Sequence, residues 1–383
     1  MTRQARLVTA RGSPHDVRRF ASIRRGGPHA SLRYLPGTPI SMRRVTAPYP
    51  ADERTGGSTA PPLSLAARWG GTGQVADLGP DLPSVHYVDF GGPEPRDGDG
   101  PHTPLVLVHG LGGSHLNWVL LGPQLRRHGR VYALDLAGFG LTRGGEREST
   151  VSANVALLAA FLRDVVGEPA VLVGNSMGGM VSIFAAAAHP DLVARLVLLD
   201  PSIPTRRRDA DRQVAATFFV YGIPRVGEAV VRRIGERSDR QRVMDTTNLC
   251  FADPTRADPA VLDAGVEILA YRREHAPEAQ GAYLGAARSI LRVLKRGRKY
   301  AALLHGLEPP VLLVHGERDR LVPVAAARTL AAENPEWTVE VVPDLGHAPM
   351  LEKPELVAGI VADWLDRPAP NRPPPNRPPP TGR

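Results

Sequence analysis

The sequence contains one cysteine, Cys250, in 383 residues. That excludes an internal disulfide and gives no cysteine cluster with metal-ligand spacing. With no motif around it, Cys250 reads as a small apolar filler rather than a reactive thiol. No stretch approaches the ~20 consecutive apolar residues of a membrane span. The N-terminus lacks the apolar h-region of a secretory signal, which favours a cytoplasmic protein. Acids are scarce at that end: residues 1–50 hold ten arginines and a single acid, Asp16. The whole chain carries a formal charge of +8, so the remainder is close to neutral. The basicity belongs to the tail, and nucleic-acid binding by the core gains no support from it. An Arg-rich, Ser-containing, acid-poor start also fits an organelle transit peptide, and Met42 offers a downstream start.

Residues 1–80 show no sustained apolar period and are read as a basic, mostly disordered extension. Regular structure is expected from Val85-His86-Tyr87-Val88. Short apolar runs follow at Leu105–Val108, Val131–Leu134, Ala170–Val173, Leu196–Leu199, Val311–Val314 and Val339–Val342. Helix-length patterns lie between them at 118–128, 151–166, 177–189, 324–333 and 354–365. Continuous Val/Leu strands alternating with helices predict an α/β protein, a mostly parallel, doubly wound sheet covered on both faces.

The core is expected over 81–200 and 308–366. Residues 201–307 interrupt the alternation with helical stretches at 212–221, 224–234, 259–273 and 282–294, and read as an inserted cap. Residues 367–383 repeat Asn-Arg-Pro-Pro-Pro, an extended segment that cannot pack a core.

Sites in open parallel sheets form beyond the C-terminal strand ends. Those ends carry His109, Asp135, Ser176, Asp200, His315 with Asp319, and His347. Ser176 lies in Gly174-Asn175-Ser176-Met177-Gly178-Gly179, between a buried run and a small-residue helix. This is the sequence form of a nucleophile elbow, where the glycines admit a turn too tight for side chains. A serine hydroxyl needs a base, histidine supplies one near neutral pH, and the histidine needs an acid to fix its tautomer. Ser176, Asp319 and His347 supply these parts in the order nucleophile, acid, base. An ordinary helix N-cap is the plainer reading of Ser176. Asp200 is the rival acid, or else a strand-end residue at the hinge of the cap.

The order Ser…Asp…His resembles that of the α/β-hydrolase superfamily. Five segments carry the resemblance: His-Gly-Leu-Gly-Gly at 109–113, Asp-Leu-Ala-Gly-Phe-Gly-Leu-Thr at 135–142, the elbow at 174–179, Gly-Glu-Arg-Asp-Arg-Leu-Val-Pro at 316–323, and Gly-His-Ala-Pro-Met-Leu-Glu at 346–352. The resemblance covers about residues 85–366. It implies triad roles for Ser176, Asp319 and His347, and an oxyanion hole from the backbone N–H groups of Met177 and Leu111, with Gly112 second.

The expected activity is cofactor-free and metal-free hydrolysis of a small to medium carboxylic ester through an acyl-enzyme. C–C bond hydrolysis of ring-cleavage products, perhydrolysis and acyl transfer are the alternatives on the same fold, and a non-catalytic binding module is a remote one. The partner is a small-molecule substrate, with no nucleic acid and no membrane span; the oligomeric state stays open. His109 and His315 read as loop-orienting residues and Asp135 as a loop-capping acid. Trp118 suits either pocket or core. Arg206, Arg207 and Arg208 read as a solvated face. Phe218, Phe219, Val220, Tyr221 and Ile223 read as a lid over an apolar acyl group.

Overall fold

The computed structural model describes residues 65–94, 102–205 and 211–368. All of them fall in one compact unit, Val45–Arg383. The extension up to residue 64, the arginines at 206–208 and the proline-rich tail from 369 lie outside the described residues.

The strands are β1 (Thr72–Ala76), β2 (Val85–Gly91), β3 (Leu105–Val108), β4 (Val131–Leu134), β5 (Ala170–Asn175), β6 (Val193–Leu199), β7 (Val311–Gly316) and β8 (Thr338–Val342). They form one eight-stranded sheet in the order β1-β2-β4-β3-β5-β6-β7-β8. β1 and β2 run antiparallel, β2 pairs antiparallel with β4, and every later pairing is parallel.

The expected continuous apolar strands result from burial on both faces. Val106, Val108, Leu172 and Leu313 pack on one side. Leu105, Leu107, Val171, Val173 and Leu312 pack on the other. The helices α2 (Val151–Phe161), α3 (Met177–Ala188) and α10 (Val324–Glu333) cover the first side. The helices α1 (Gly122–Leu125) and α12 (Pro354–Leu365) cover the second. α11 (Pro349–Glu352) precedes α12.

β1 falls inside the segment read from its composition as disordered. Thr-Gly-Gln-Val-Ala holds one β-branched apolar residue, too few for a strand signal. It is an edge strand stabilised by pairing from Thr72↔Asp89 to Ala76↔Val85.

Between β6 and β7 lie α4 (Arg212–Tyr221), α5 (Val226–Gly235), α6 (Asp239–Cys250), α7 (Pro259–His275), α8 (Ala279–Leu294) and α9 (Gly297–His305). α4 and α5 meet at a bend of 109°. Sequence periodicity misses α6, which is polar along most of its length. Its start is nonetheless written in the chain: Ser238 and Gln241 form a reciprocal capping box. Among the described residues, no single helix is long and apolar enough to cross a membrane.

The winding of the sheet reverses between β3 and β5. The chain after β3 packs α1 on one face, whereas the chain after β5 packs α3 on the other. The C-terminal ends of these neighbouring strands therefore open a crevice, where parallel sheets hold ligands.

Candidate active site

Ser176 sits in that crevice with φ 53° and ψ −116°, outside the conformations a serine normally adopts. The strain is maintained by backbone bonds on both sides. Its N–H donates to Leu199 O at 3.2 Å, and its carbonyl accepts from Ser202 N at 2.9 Å. The glycines do what a tight turn requires, with one difference from expectation. A Cβ on Gly174 would lie 2.6 Å from Gly178 O, within the turn itself. A Cβ on Gly178 would instead strike the neighbouring strand, 2.0 Å from Val108 O. Ser176 does occupy the N-cap position of α3, yet its side chain makes no capping bond. Its oxygen faces Ser202 Oγ at 3.4 Å, too long for a good hydroxyl hydrogen bond. The plain N-cap reading thus leaves the hydroxyl unexplained.

The structure brings Asp319 and His347 together: His347 Nδ1 lies 2.7 Å from Asp319 Oδ2. Oδ1 of Asp319 accepts from Leu321 N at 2.7 Å and Val322 N at 3.0 Å, which fixes the carboxylate. Burial alone would raise this acid. The charge and hydrogen bond of His347, His315 and the peptide donors outweigh burial and hold Asp319 below the ordinary carboxylate range. His347 is held from three sides. Its N–H donates to Cys250 O at 2.6 Å, its carbonyl accepts from Asn175 Nδ2 at 3.0 Å, and its ring meets Asp319. Sequence reasoning passed over Asn175, although it stands beside the serine inside the elbow.

The turn Gly110–Gly113, closed by Gly113 N donating to Gly110 O at 3.1 Å, presents Leu111 and Gly112 at its tip. It presses on the elbow so closely that a Cβ on Gly110 would lie 3.0 Å from Ser176 Cβ. Met177 opens α3, and a first-turn N–H has no intrahelical acceptor. Helices α4 and α8 pack against this turn: Tyr221, Leu284 and Ala287 cluster with Leu111, Phe218 and Tyr283. Phe218 and Tyr221 point inward as the lid reading expects. Phe219 does not: it is 69% exposed, because on α4 each residue is turned by about 100° from the one before it, which carries Phe219 off the face that Phe218 and Tyr221 share.

Several flanking residues act as the sequence implied. Nδ1 of His109 bonds Gly110 O at 2.8 Å, and Nε2 accepts from Leu136 N at 3.0 Å. This neutral form is favoured because burial pulls the imidazole down to about 4. Nε2 of His315 meets Val322 O at 2.8 Å. Asp135 accepts from His115 N at 2.6 Å and Leu141 N at 2.9 Å, and anchors the rings of His86 and His115 at 2.7 and 2.9 Å. Trp118 is fully buried in the core. Desolvation and the nearby Asp319 and Asp200 push the Cys250 thiol up to about 12, so it stays protonated.

A second missed residue is Glu352. It accepts from Gly346 N, Ala252 N and Asp253 N at 2.8–3.0 Å and from Arg256 Nη1 at 2.9 Å, tying the histidine loop to the cap. A groove of about 460 Å³ runs along α5 past Val226, Val230, Arg233 and Glu236, and its lining includes none of the residues gathered around Ser176.

Among the described residues, two groups bring potential ligand atoms within 4.8 Å of one another: His86, His115 and Asp135, and Asp200, Asp319 and His347. In the first, hydrogen bonds to rings and peptides occupy both oxygens of Asp135. In the second, Asp319 is likewise committed to His347 and two peptide donors. Hydrogen bonding accounts for the first group and for Asp319 and His347 in the second, and no metal is assigned to either.

The sequence model of the Alpha/beta hydrolase family matches residues 105–360. The chain is 32% identical to the pimeloyl-[acyl-carrier protein] methyl ester esterase of Aromatoleum aromaticum, over 68% of this chain and 96% of that protein. It is 29% identical to the 2-hydroxy-6-oxo-6-(2'-aminophenyl)hexa-2,4-dienoic acid hydrolase of Metapseudomonas resinovorans, over 77% of this chain and 96% of that protein. In fold it is similar to the haloalkane dehalogenase DatA of Agrobacterium tumefaciens C58, with a TM-score of 0.64 at 20% identity, covering 80% of this chain and 100% of that one.

Proposed function

The chain belongs to the α/β-hydrolase family, and we propose that within it the protein is a serine esterase acting on a small to medium carboxylic ester. The observation that carries this reading is the Asp319–His347 pair, 2.7 Å apart and tied through Asn175 to the elbow of Ser176. An acid on Nδ1 leaves Nε2 as the acceptor that a serine nucleophile requires. Ser176 Oγ attacks the ester carbonyl as its proton passes to Nε2 of His347. Asp319 stabilises the resulting imidazolium. The N–H groups of Met177 and Leu111 receive the charge on the carbonyl oxygen. His347 returns the proton to the leaving alkoxide, and the acyl group remains on Ser176. Water, deprotonated by the same histidine, then releases the acid and restores the serine.

The esterase relative supports ester chemistry. The dienoic acid hydrolase relative supports a second reading, cleavage of a C–C bond beside a ketone by the same residues. A fluorophosphonate probe tests the shared nucleophile. It labels the wild type stoichiometrically and fails to label Ser176→Ala, whose turnover falls by about 10⁶. Labelling that survives the substitution removes Ser176 from its role. Comparing simple esters with a vinylogous 1,5-diketone then separates the two readings.

A further inference from the structure

Behind His347 lies a second carboxyl group that the triad chemistry does not use. Asp200 ends β6 in a left-handed conformation, φ 46°, and is wholly buried. One oxygen, Oδ1, accepts from Gly316 N at 2.8 Å. The other, Oδ2, is buried with no hydrogen-bond partner. An oxygen of Asp200, an oxygen of Asp319 and a ring nitrogen of His347 all lie within 4.8 Å of one another. His315 Nε2 stands 3.6 Å from Asp200 Oδ1 and 3.6 Å from Asp319 Oδ2, but its bond is to Val322 O at 2.8 Å. No cation therefore neutralises the two acids directly.

Two buried carboxylates this close cannot both ionise. Asp319 has the imidazole and two peptide donors; Asp200 has one peptide donor. The negative charge settles on Asp319. A proton on Asp200 gives the unpartnered Oδ2 a donor, with the Asp319 carboxylate as its acceptor.

We propose that Asp200 is a positioning residue of the triad: a neutral carboxylic acid that supports Asp319 by hydrogen bonding, and that becomes the carboxylate partner of His347 when Asp319 is removed. This rests on the triad reading above. In an Asp319→Ala variant the neighbouring charge, the second reason that Asp200 is protonated, is gone. Its side chain can then turn into the vacated volume towards the ring and pass its proton to His347, whose imidazolium offsets the burial of the new carboxylate. The titratable groups facing it are His315 in β7 and Asp319 after it, His347 and Glu352 after β8, and Cys250 at the end of α6. Burial first, and the Asp319 charge second, push Asp200 well above the ordinary carboxylate range.

The test is a cycle of Asp200→Asn and Asp319→Ala, read as kcat/KM, with melting temperature confirming a folded protein. Asparagine tolerates the left-handed backbone and offers an amide donor to Asp319, but it cannot become a carboxylate. The expected loss from Asp200→Asn is about threefold in the wild type and at least about thirtyfold in Asp319→Ala. An equal factor in both backgrounds marks Asp200 as merely structural and overturns the inference, leaving the triad intact. Undiminished turnover in the double variant, which has neither acid, overturns the triad assignment itself and the inference with it. Should Asp319→Ala fail to fold, Asp319→Ser keeps an acceptor for the Leu321 and Val322 N–H groups and serves in its place.

Discussion

Asn175 donates from one Nδ2 to two carbonyl oxygens, that of His347 at 3.0 Å and that of Leu199 at 3.0 Å. A single amide thus joins the end of β6, the strained serine turn and the loop of the histidine. Asn175→Ala leaves both buried carbonyls without this donor, at a cost of about 1–3 kcal/mol in stability. It also frees the histidine to shift, so kcat falls by about tenfold or more, since small misplacements of catalytic groups are costly. Asn175→Asp, which presents acceptors to acceptors, is worse than Asn175→Ala on both counts. Thermal melts and steady-state kinetics on the pair check this. A kcat that follows neither substitution would detach the clamp from catalysis.

Gly112 occupies φ 75° at the tip of the turn facing Ser176, and a Cβ there would come 3.3 Å from Tyr283 Cε2. A β-branched side chain is strained in that conformation and pushes on the cap. Gly112→Val should tilt the Leu111–Gly112 donors away from the carbonyl oxygen. The expected result is a fall in kcat of about 10²-fold, the order seen on removing an oxyanion donor, with the fold retained. Circular dichroism with kinetics decides it: lost turnover together with lost structure would make Gly112 a folding residue only.

How much of this was legible in the sequence follows the range over which each signal acts. The strands β3, β4, β5 and β7 are written in short apolar runs because burial on both faces demands them at every position, whereas the edge strand β8 leaves Glu340 exposed within its run. Ser176, Asp319 and His347 could be singled out because each follows a strand run, and the structure pairs the last two at 2.7 Å. β1 was not legible, since an edge strand such as Thr72–Ala76 draws on pairing with β2 rather than on its own side chains. Asn175, Glu352 and the closeness of Asp200 to Asp319 were hidden for another reason. Each acts on residues brought together by the sheet, as when Asn175 reaches His347 across 172 positions of chain. Local periodicity holds no record of such contacts. Phe219 shows the converse failure, an apolar residue beside inward-facing neighbours that its own helix turns outward.

His109 gives a dependence of stability on pH. Burial lowers its folded value from 6.5 to about 4. Between those values the unfolded chain binds the proton and the folded one does not. Stability is therefore full above pH 6.5 and is lost as pH falls towards 4. At ~1.36 kcal/mol per pH unit, this group accounts for a loss of about 3 kcal/mol. His109→Gln, which cannot be protonated, should flatten the curve over that window, although it begins less stable because the bonds to Gly110 and Leu136 are disturbed. Urea unfolding from pH 4 to 8 checks the slope. Parallel curves for the two proteins would show that His109 is not held neutral.

The helices between β6 and β7 are attached unevenly, which predicts a fixed and a movable part. On α8, Ala282 O accepts from Ser149 Oγ at 2.7 Å, and Ser289 Oγ accepts from Val151 N at 3.0 Å. On α7, Arg272 donates to the carbonyls of Gly140 and Gly138 at 2.7 and 2.6 Å. These bonds join α7 and α8 to core loops. α4 and α5 instead lean on α8 through Arg288, which bonds Tyr221 O at 3.1 Å and Glu228 at 2.8 Å. Half-exposed helices held by one arginine, a small apolar cluster and the Asp211–Arg320 ion pair open at lower free energy than helices bonded to the core. Amide exchange should therefore be faster over 212–235 than over 259–294, and Arg288→Ala should widen the gap. Gly285→Ala acts on the fixed part: its Cβ would sit 2.3 Å from Glu146 O, a backbone atom that cannot easily yield. Overpacking there should cost about 1–3 kcal/mol and quicken exchange along α8 itself. Uniform exchange across α4 to α8 in the wild type would mean the cap moves as one body, and entry to Ser176 would then need a hinge at its ends rather than a yielding α4–α5 pair.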